Sequence, residues 1–155
     1  MKKKLFFSLL VLSLLMITNP RISSASKKVA IPASVKPYME QNYPGYKIKS
    51  AQSDPMCDGS PAIDVSITKK GQPNLSLIFK PDGIFVQKEQ DVPLKTAPVK
   101  IQATIKAKYG AYKAGRQIEK LTLADNSTQY LIDLKKGKVA KEVTISTDGD
   151  VICEH

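Results

Sequence analysis

The residues able to do chemistry are few. Of 155 residues one is histidine, two are cysteine and 14 are acidic. His155 is the last residue of the sequence, so a histidine-based nucleophile pair or metal cluster would have to be assembled on a fraying end, and the expectation is a solvent-exposed terminus. No Cys-x-x-Cys, no Gly-x-Ser-x-Gly, no phosphate-cradling glycine loop and no dinucleotide fingerprint occurs. The aspartates and glutamates are numerous enough to place a carboxylate pair somewhere in space, but Asp64, Asp133 and Glu142 are accounted for by the wet face of a sheet. The run Asp148-Gly149-Asp150 lacks the ligand number that calcium requires and reads as a turn. The expectation is a non-enzymatic chain: no catalytic residues, no cofactor and no metal site.

Cys57 and Cys153 have no third thiol to compete with them. They are either a disulfide or two separate thiols, one in an exposed loop at Cys57 and one buried at Cys153. Joined, they would close a loop of 96 residues, from position 57 to 153, which the chain-entropy model values at about 4–5 kcal/mol. A bridge requires an oxidising compartment.

The first residues supply one. Lys2, Lys3 and Lys4 precede an apolar stretch from Leu5 to Ile17, Asn19-Pro20 breaks any helix, and Ser23-Ser24-Ala25-Ser26 offers small residues for cleavage. Residues 1–25 read as a signal peptide cut after Ala25, because the apolar run falls short of the roughly 20 residues that span a bilayer. No cysteine follows at a position for lipid attachment, so the expected product is periplasmic or secreted, without a stable membrane anchor.

Removal of that segment changes the charge balance. The chain carries +10 from 24 basic and 14 acidic residues. Lys2, Lys3, Lys4 and Arg21 leave with the signal, which lowers the excess to +6. The remaining lysines are scattered and not interleaved with aromatics, so a solvated basic surface is expected and nucleic-acid binding is not.

The elements that position these residues come from laying the chain over itself. A shift of 66 residues brings Pro32 onto Pro98, Val35 onto Ile101, Met39 onto Ile105, Tyr43 onto Tyr109, Tyr46 onto Tyr112, Leu77 onto Val143, Phe79 onto Ile145 and Asp82-Gly83 onto Asp148-Gly149. Ile63, Val65 and Ile67 match Tyr130, Ile132 and Leu134 only after a one-residue slip, which places a length change in the loop before that strand. Each unit opens with an amphipathic helix: Val35, Tyr38, Met39 and Tyr43 form the first apolar stripe, Val99, Ile101, Ile105 and Tyr109 the second. Pro44-Gly45 and Gly110 stop these helices, and Pro37 makes the first start late or bend. Alternating strands follow, and Asp-Gly at 82–83 and 148–149 predicts two-residue hairpin turns.

The predicted fold is α+β: two tandem repeats, residues 26–90 and 91–155, each one helix plus about four antiparallel strands, forming a sheet of roughly eight strands with both helices on its apolar face. Three apolar residues break the polar face, namely Ile78 between Ser76 and Lys80, Phe85 in register with Gln87 and Glu89, and Leu131 before Asp133. Clustered with Tyr46 or Tyr112, they would form the apolar centre of a partner-binding surface.

The pattern of Ile31-Pro32, Tyr43-Pro44 and Leu77-Ile78-Phe79-Lys80-Pro81-Asp82-Gly83, repeated through Tyr109 and Lys141-Glu142-Val143 to Asp148-Gly149, resembles the PepSY-like family of secreted bacterial proteins, which are similar in fold to β-lactamase-inhibitor protein. The resemblance covers essentially the whole mature chain. It implies a tandem αβ repeat with a concave sheet that binds or inhibits an extracytoplasmic protein. The rival expectation is an envelope ligand carrier or stress factor that holds an anionic small molecule or polymer on its lysines.

Overall fold

A computed structural model describes residues 29–155; the expected signal peptide and its cleavage site lie outside these residues. The order is α1 (Val35–Asn42), β1 (Lys47–Ser53), β2 (Ile63–Thr68), β3 (Leu75–Phe79), β4 (Phe85–Pro93), α2 (Val99–Tyr109), β5 (Lys113–Ala114), β6 (Gln117–Leu123), β7 (Thr128–Lys136), β8 (Val139–Ser146) and β9 (Val151–Glu154). All strand pairs are antiparallel, in the order β1-β2-β3-β4-β6-β7-β8-β9, with the short β5 set against the far end of β7. The two halves join edge to edge through β4 and β6, from Gln87 opposite Leu123 to Pro93 opposite Gln117.

Each helix covers its own strands. Val35 and Met39 pack with Ile63, Val65, Ile67, Leu77 and Phe79 in one core. Ile101 and Tyr109 pack with Ile118, Tyr130, Ile132, Leu134, Val143 and Ile145 in the other. Val35 and Ile101, 66 positions apart, are both completely buried. Pro37 sits in the first turn of α1, where a missing N–H costs no helical hydrogen bond. Val99, expected on the second stripe, is instead 80% exposed, because it is the first residue of α2 and projects from the open end of the helix.

The two Asp-Gly turns are one residue longer than predicted. Gly83 N–H donates to Lys80 O at 2.8 Å and Lys80 N–H to Ile84 O at 2.8 Å; Gly149 N–H donates to Ser146 O at 3.0 Å and Ser146 N–H to Asp150 O at 2.9 Å. Only the glycines take positive φ, +86° and +91°, whereas a two-residue turn of the expected type needs it at Asp as well. Next to each turn the register shifts: Ile78 pairs with Gln87 but Phe79 with Phe85, and Thr144 pairs with Cys153 but Ile145 with Val151. Val86 and Ile152 are therefore bulge residues, again 66 positions apart, and each bulge reverses the faces of the residues on one side of it.

Candidate functional site

The face of the sheet away from the helices is concave, and one cystine sets its curvature. Cys57, in the loop between β1 and β2, is bonded to Cys153 on β9, with their Cα atoms 6.2 Å apart. In a flat sheet the seven steps from β1 to β9 would separate the two edges by about 34 Å. The four residues from Asp54 to Cys57 reach about 14 Å at most. The sheet must curl until its edges approach, and the loop then crosses the hollow as a strap. The strap belongs to the first half alone: nine residues (54–62) join β1 to β2, whereas four (124–127) join β6 to β7.

Beneath the strap lies a groove of about 520 Å³. Its apolar floor is Ile78, Val86, Leu121, Leu123, Leu131 and Ile152, with Met56 on the strap above. Leu121 and Ile78 are buried, Ile152 is 54% exposed. Among the described residues the charged side chains lining it are Asp54, Asp58, Asp64, Glu89, Glu119 and Glu142, with His155 at one end and no lysine or arginine.

Three of these acids are held away from their ordinary ionisation. Burial, reinforced by the neighbouring Glu119 charge, pushes Glu89 up to about 8, although Gln87 Nε2 donates to its Oε1 at 2.7 Å. Glu119 is pushed up to about 7 by burial and then by Asp91 and Asp133. Asp64 is raised by burial, with the Asp54 charge adding to it and Ser76 and Gln52 opposing it. Gln52 Nε2 donates to Asp64 Oδ2 at 3.2 Å, while the buried Oδ1 has no hydrogen-bond partner in acceptable geometry among the described residues. None of the three makes an ion pair among the described residues. Chemically this cluster can hold protons near neutral pH and attract cations; a protonated carboxyl beside an ionised one is also the raw material of acid–base chemistry.

The structure separates the five residues expected to share a binding face. Ile78 and Leu131 line the groove. Phe85 and Tyr46 pack instead against the first core and Tyr112 against the second. Phe85 stacks on Tyr38 with ring centroids 4.8 Å apart and meets Phe79 edge-on at 5.7 Å. The cause is the bulge at Val86, which places Phe85 on the opposite face from Gln87 and hands the groove position to Val86. Leu121 and Leu123 are not distinguished by the sequence, because they alternate with Lys120 and Thr122, which reads equally well with the leucines pointing at the helices. The bulges had a visible signal: apolar residues in succession, Phe85-Val86 and Val151-Ile152, straight after an Asp-Gly turn.

His155 is anchored rather than fraying. Its N–H and C=O pair with Glu142 at 3.1 and 2.9 Å. Its Nε2 lies 3.2 Å from Glu142 Oε2 and its Nδ1 3.3 Å from Cys57 Sγ. Cys57, Cys153 and His155 bring potential metal-ligand atoms within 4.8 Å of one another, but the two sulfurs are spent on each other and offer no thiolate.

Known structures share this fold. A DUF2874 family protein from Bacteroides uniformis superposes with a TM-score of 0.60 at 11% identity, covering 81% of this chain and 89% of that one. A protein described as periplasmic, from Bacteroides eggerthii, gives 0.60 at 14% identity over 82% and 89%. A BLIP-like protein from Bacteroides fragilis gives 0.56 at 12% identity over 82% and 86%. No family model matches the sequence, and no curated protein matches it. The chain has a BLIP-like α+β fold; identities this low carry the fold and nothing more.

Proposed function

We propose that this is an exported binding module, of the PepSY-like kind, whose concave groove docks a segment of an extracytoplasmic protein. The observation that supports this most directly is the groove itself: a built hollow with an apolar floor and an acidic rim, crossed by a covalently fixed strap. Apolar centres ringed by polar groups are the usual anatomy of protein interfaces. Export fits the lysine-led apolar N-terminus and the cystine, and no helix among the described residues is long and apolar enough to cross a membrane. The charge of the groove works against an anion carrier, because an anionic ligand would enter a site lined by six carboxylates and, among the described residues, by no lysine.

The test is site-specific photocrosslinking in the producing cell. A photoreactive residue at Leu123 or Leu131 should give discrete adducts, and one at Lys106 on the outer side of α2 should not. Equal adducts at all three positions, or none at the groove, would refute the docking role of this face.

A further inference from the structure

The groove's charge runs against that of the chain around it. The sequence without its expected signal peptide is basic, yet the groove collects six carboxylates and, among the described residues, no lysine or arginine lines it. Asp64 is more than nine-tenths buried, lines the groove, and has one oxygen without a hydrogen-bond partner in acceptable geometry among the described residues. Among the described residues no lysine or arginine pairs with these carboxylates, and only Glu142 meets a partner able to carry charge, His155 Nε2 at 3.2 Å. Lys49 borders the adjoining hollow that shares Ser76, Glu89 and Glu119, but it makes no ion pair with either glutamate.

The counter-charge can be sought in a metal ion or in a partner's side chains, and the spacing decides between them. A hard cation draws oxygens to one point, within about 2.0–2.6 Å of the ion. Among the described residues the only group of three potential ligands that converges is Cys57, Cys153 and His155; the carboxylates are instead strung across four strands, from Asp64 on β2 through Glu89 on β4 and Glu119 on β6 to Glu142 on β8. That row suits a chain bearing several basic side chains. Between the acids, Ile78, Leu121 and Leu131 form apolar ground on which the aliphatic stems of lysine or arginine can lie.

We infer that the groove is a receptor for a cationic segment of the partner, with arginine or lysine side chains set against Glu89 and Glu119 and apolar neighbours on Leu121 and Leu131. This rests on the reading of the groove as a docking surface and names the chemistry of what docks. The carboxyls that hold protons near neutral pH would give them up to an arriving cation. The groups facing them are Asp54 on the strap, Asp64 on β2, Asp91 on β4, Asp133 on β7 and Glu142 on β8, with Lys49 on β1 and His155 at the rim.

The experiment uses the disulfide-bonded mature protein and three blocked peptides in which leucine alternates with arginine, serine or glutamate. Affinities are measured by calorimetry in two buffers of different ionisation enthalpy, and the site is located by amide chemical-shift changes. The arginine peptide should bind with shifts on β4, β6 and β7 and release protons. The serine peptide should bind about tenfold or more weaker, and the double variant E89Q/E119Q should lose a similar factor for the arginine peptide. That variant removes charge repulsion, so failure to fold is not the expected reason for the loss. If the serine peptide binds the same strands as tightly, the charge assignment falls while the docking surface stands. Arginine-peptide binding that ignores E89Q/E119Q, or shifts absent from the concave strands, overturns the inference outright.

Discussion

Cys57, on the loop that leaves the edge strand β1, is joined to Cys153 on β9 at the opposite edge of the same sheet, which turns an open sheet into a ring closed across its hollow face. The bond encloses 96 residues, and opening it should cost about 4–5 kcal/mol of stability on the chain-entropy model. Thermal unfolding with and without reductant checks the size, and C57S should reproduce the reduced protein. Hydrogen exchange should rise first over residues 54–60, because few backbone bonds hold them: Asp54 N–H to Ala62 O, Met56 N–H to Ser60 O and Gly59 N–H to Met56 O.

The acid cluster predicts an unusual pH profile. Glu89 and Glu119 are raised from 4.5 to about 8 and about 7, so between pH 4.5 and 8 the folded protein holds protons that the unfolded chain has released. Stability from these groups is therefore fully present below 4.5 and is lost as pH rises through 7 and 8. The exposed Asp58, Asp125, Asp148 and Glu154 are lowered and act oppositely, but only in more acid solution. Urea midpoints should rise from pH 8 to about pH 5. E89Q/E119Q should flatten that slope, and an unchanged slope would show that other groups set it.

Phe85 and Leu131 should part company on mutation. Phe85→Ser removes a ring from the Tyr38–Phe79 cluster and should destabilise by about 2–3 kcal/mol. Leu131→Ser touches only the groove floor and should cost about 1 kcal/mol while weakening partner capture. Chemical unfolding alongside crosslinking separates the two effects.

The glycines of the turns should also differ. A Cβ on Gly83 would lie 2.0 Å from Ser34 Oγ and 2.9 Å from Pro32 Cβ at φ +86°, so Gly83→Ala should cost more than the about 1–2 kcal/mol of the left-handed backbone alone and break the Ser34–Gly83 hydrogen bond. At Gly137, φ is +60° with nothing within 4 Å, and Gly137→Ala should cost only the backbone amount. Comparable losses at both would show that docking of the first turn on α1 contributes little.

The sequence carried the architecture further than the site, for a physical reason. Helix stripes and strand alternation report what is buried, and they placed Val35, Ile101, Leu77 and Val143 correctly. Alternation says nothing about a bulge, and a single extra residue at Val86 was enough to move Phe85 into the core. Curvature is likewise invisible in a one-dimensional pattern. Asp64, Glu89 and Glu142 read as ordinary wet-face acids, and Glu119 carries no signal at all, because nothing in their spacing says that the sheet folds around them. The bend at Gly115-Arg116, which divides β5 from β6, is a further place where local geometry departed from a regular ladder.

The strap also ends the equality of the two halves. Both have the helix, the turn and the bulge at matching positions, but only the first has the tether and only the second carries its anchor. Each half now owns a part that is useless without the other. A change that shortened the loop in one or lost the sulfur in the other would be felt across the whole molecule, so the two halves are obliged to vary as one.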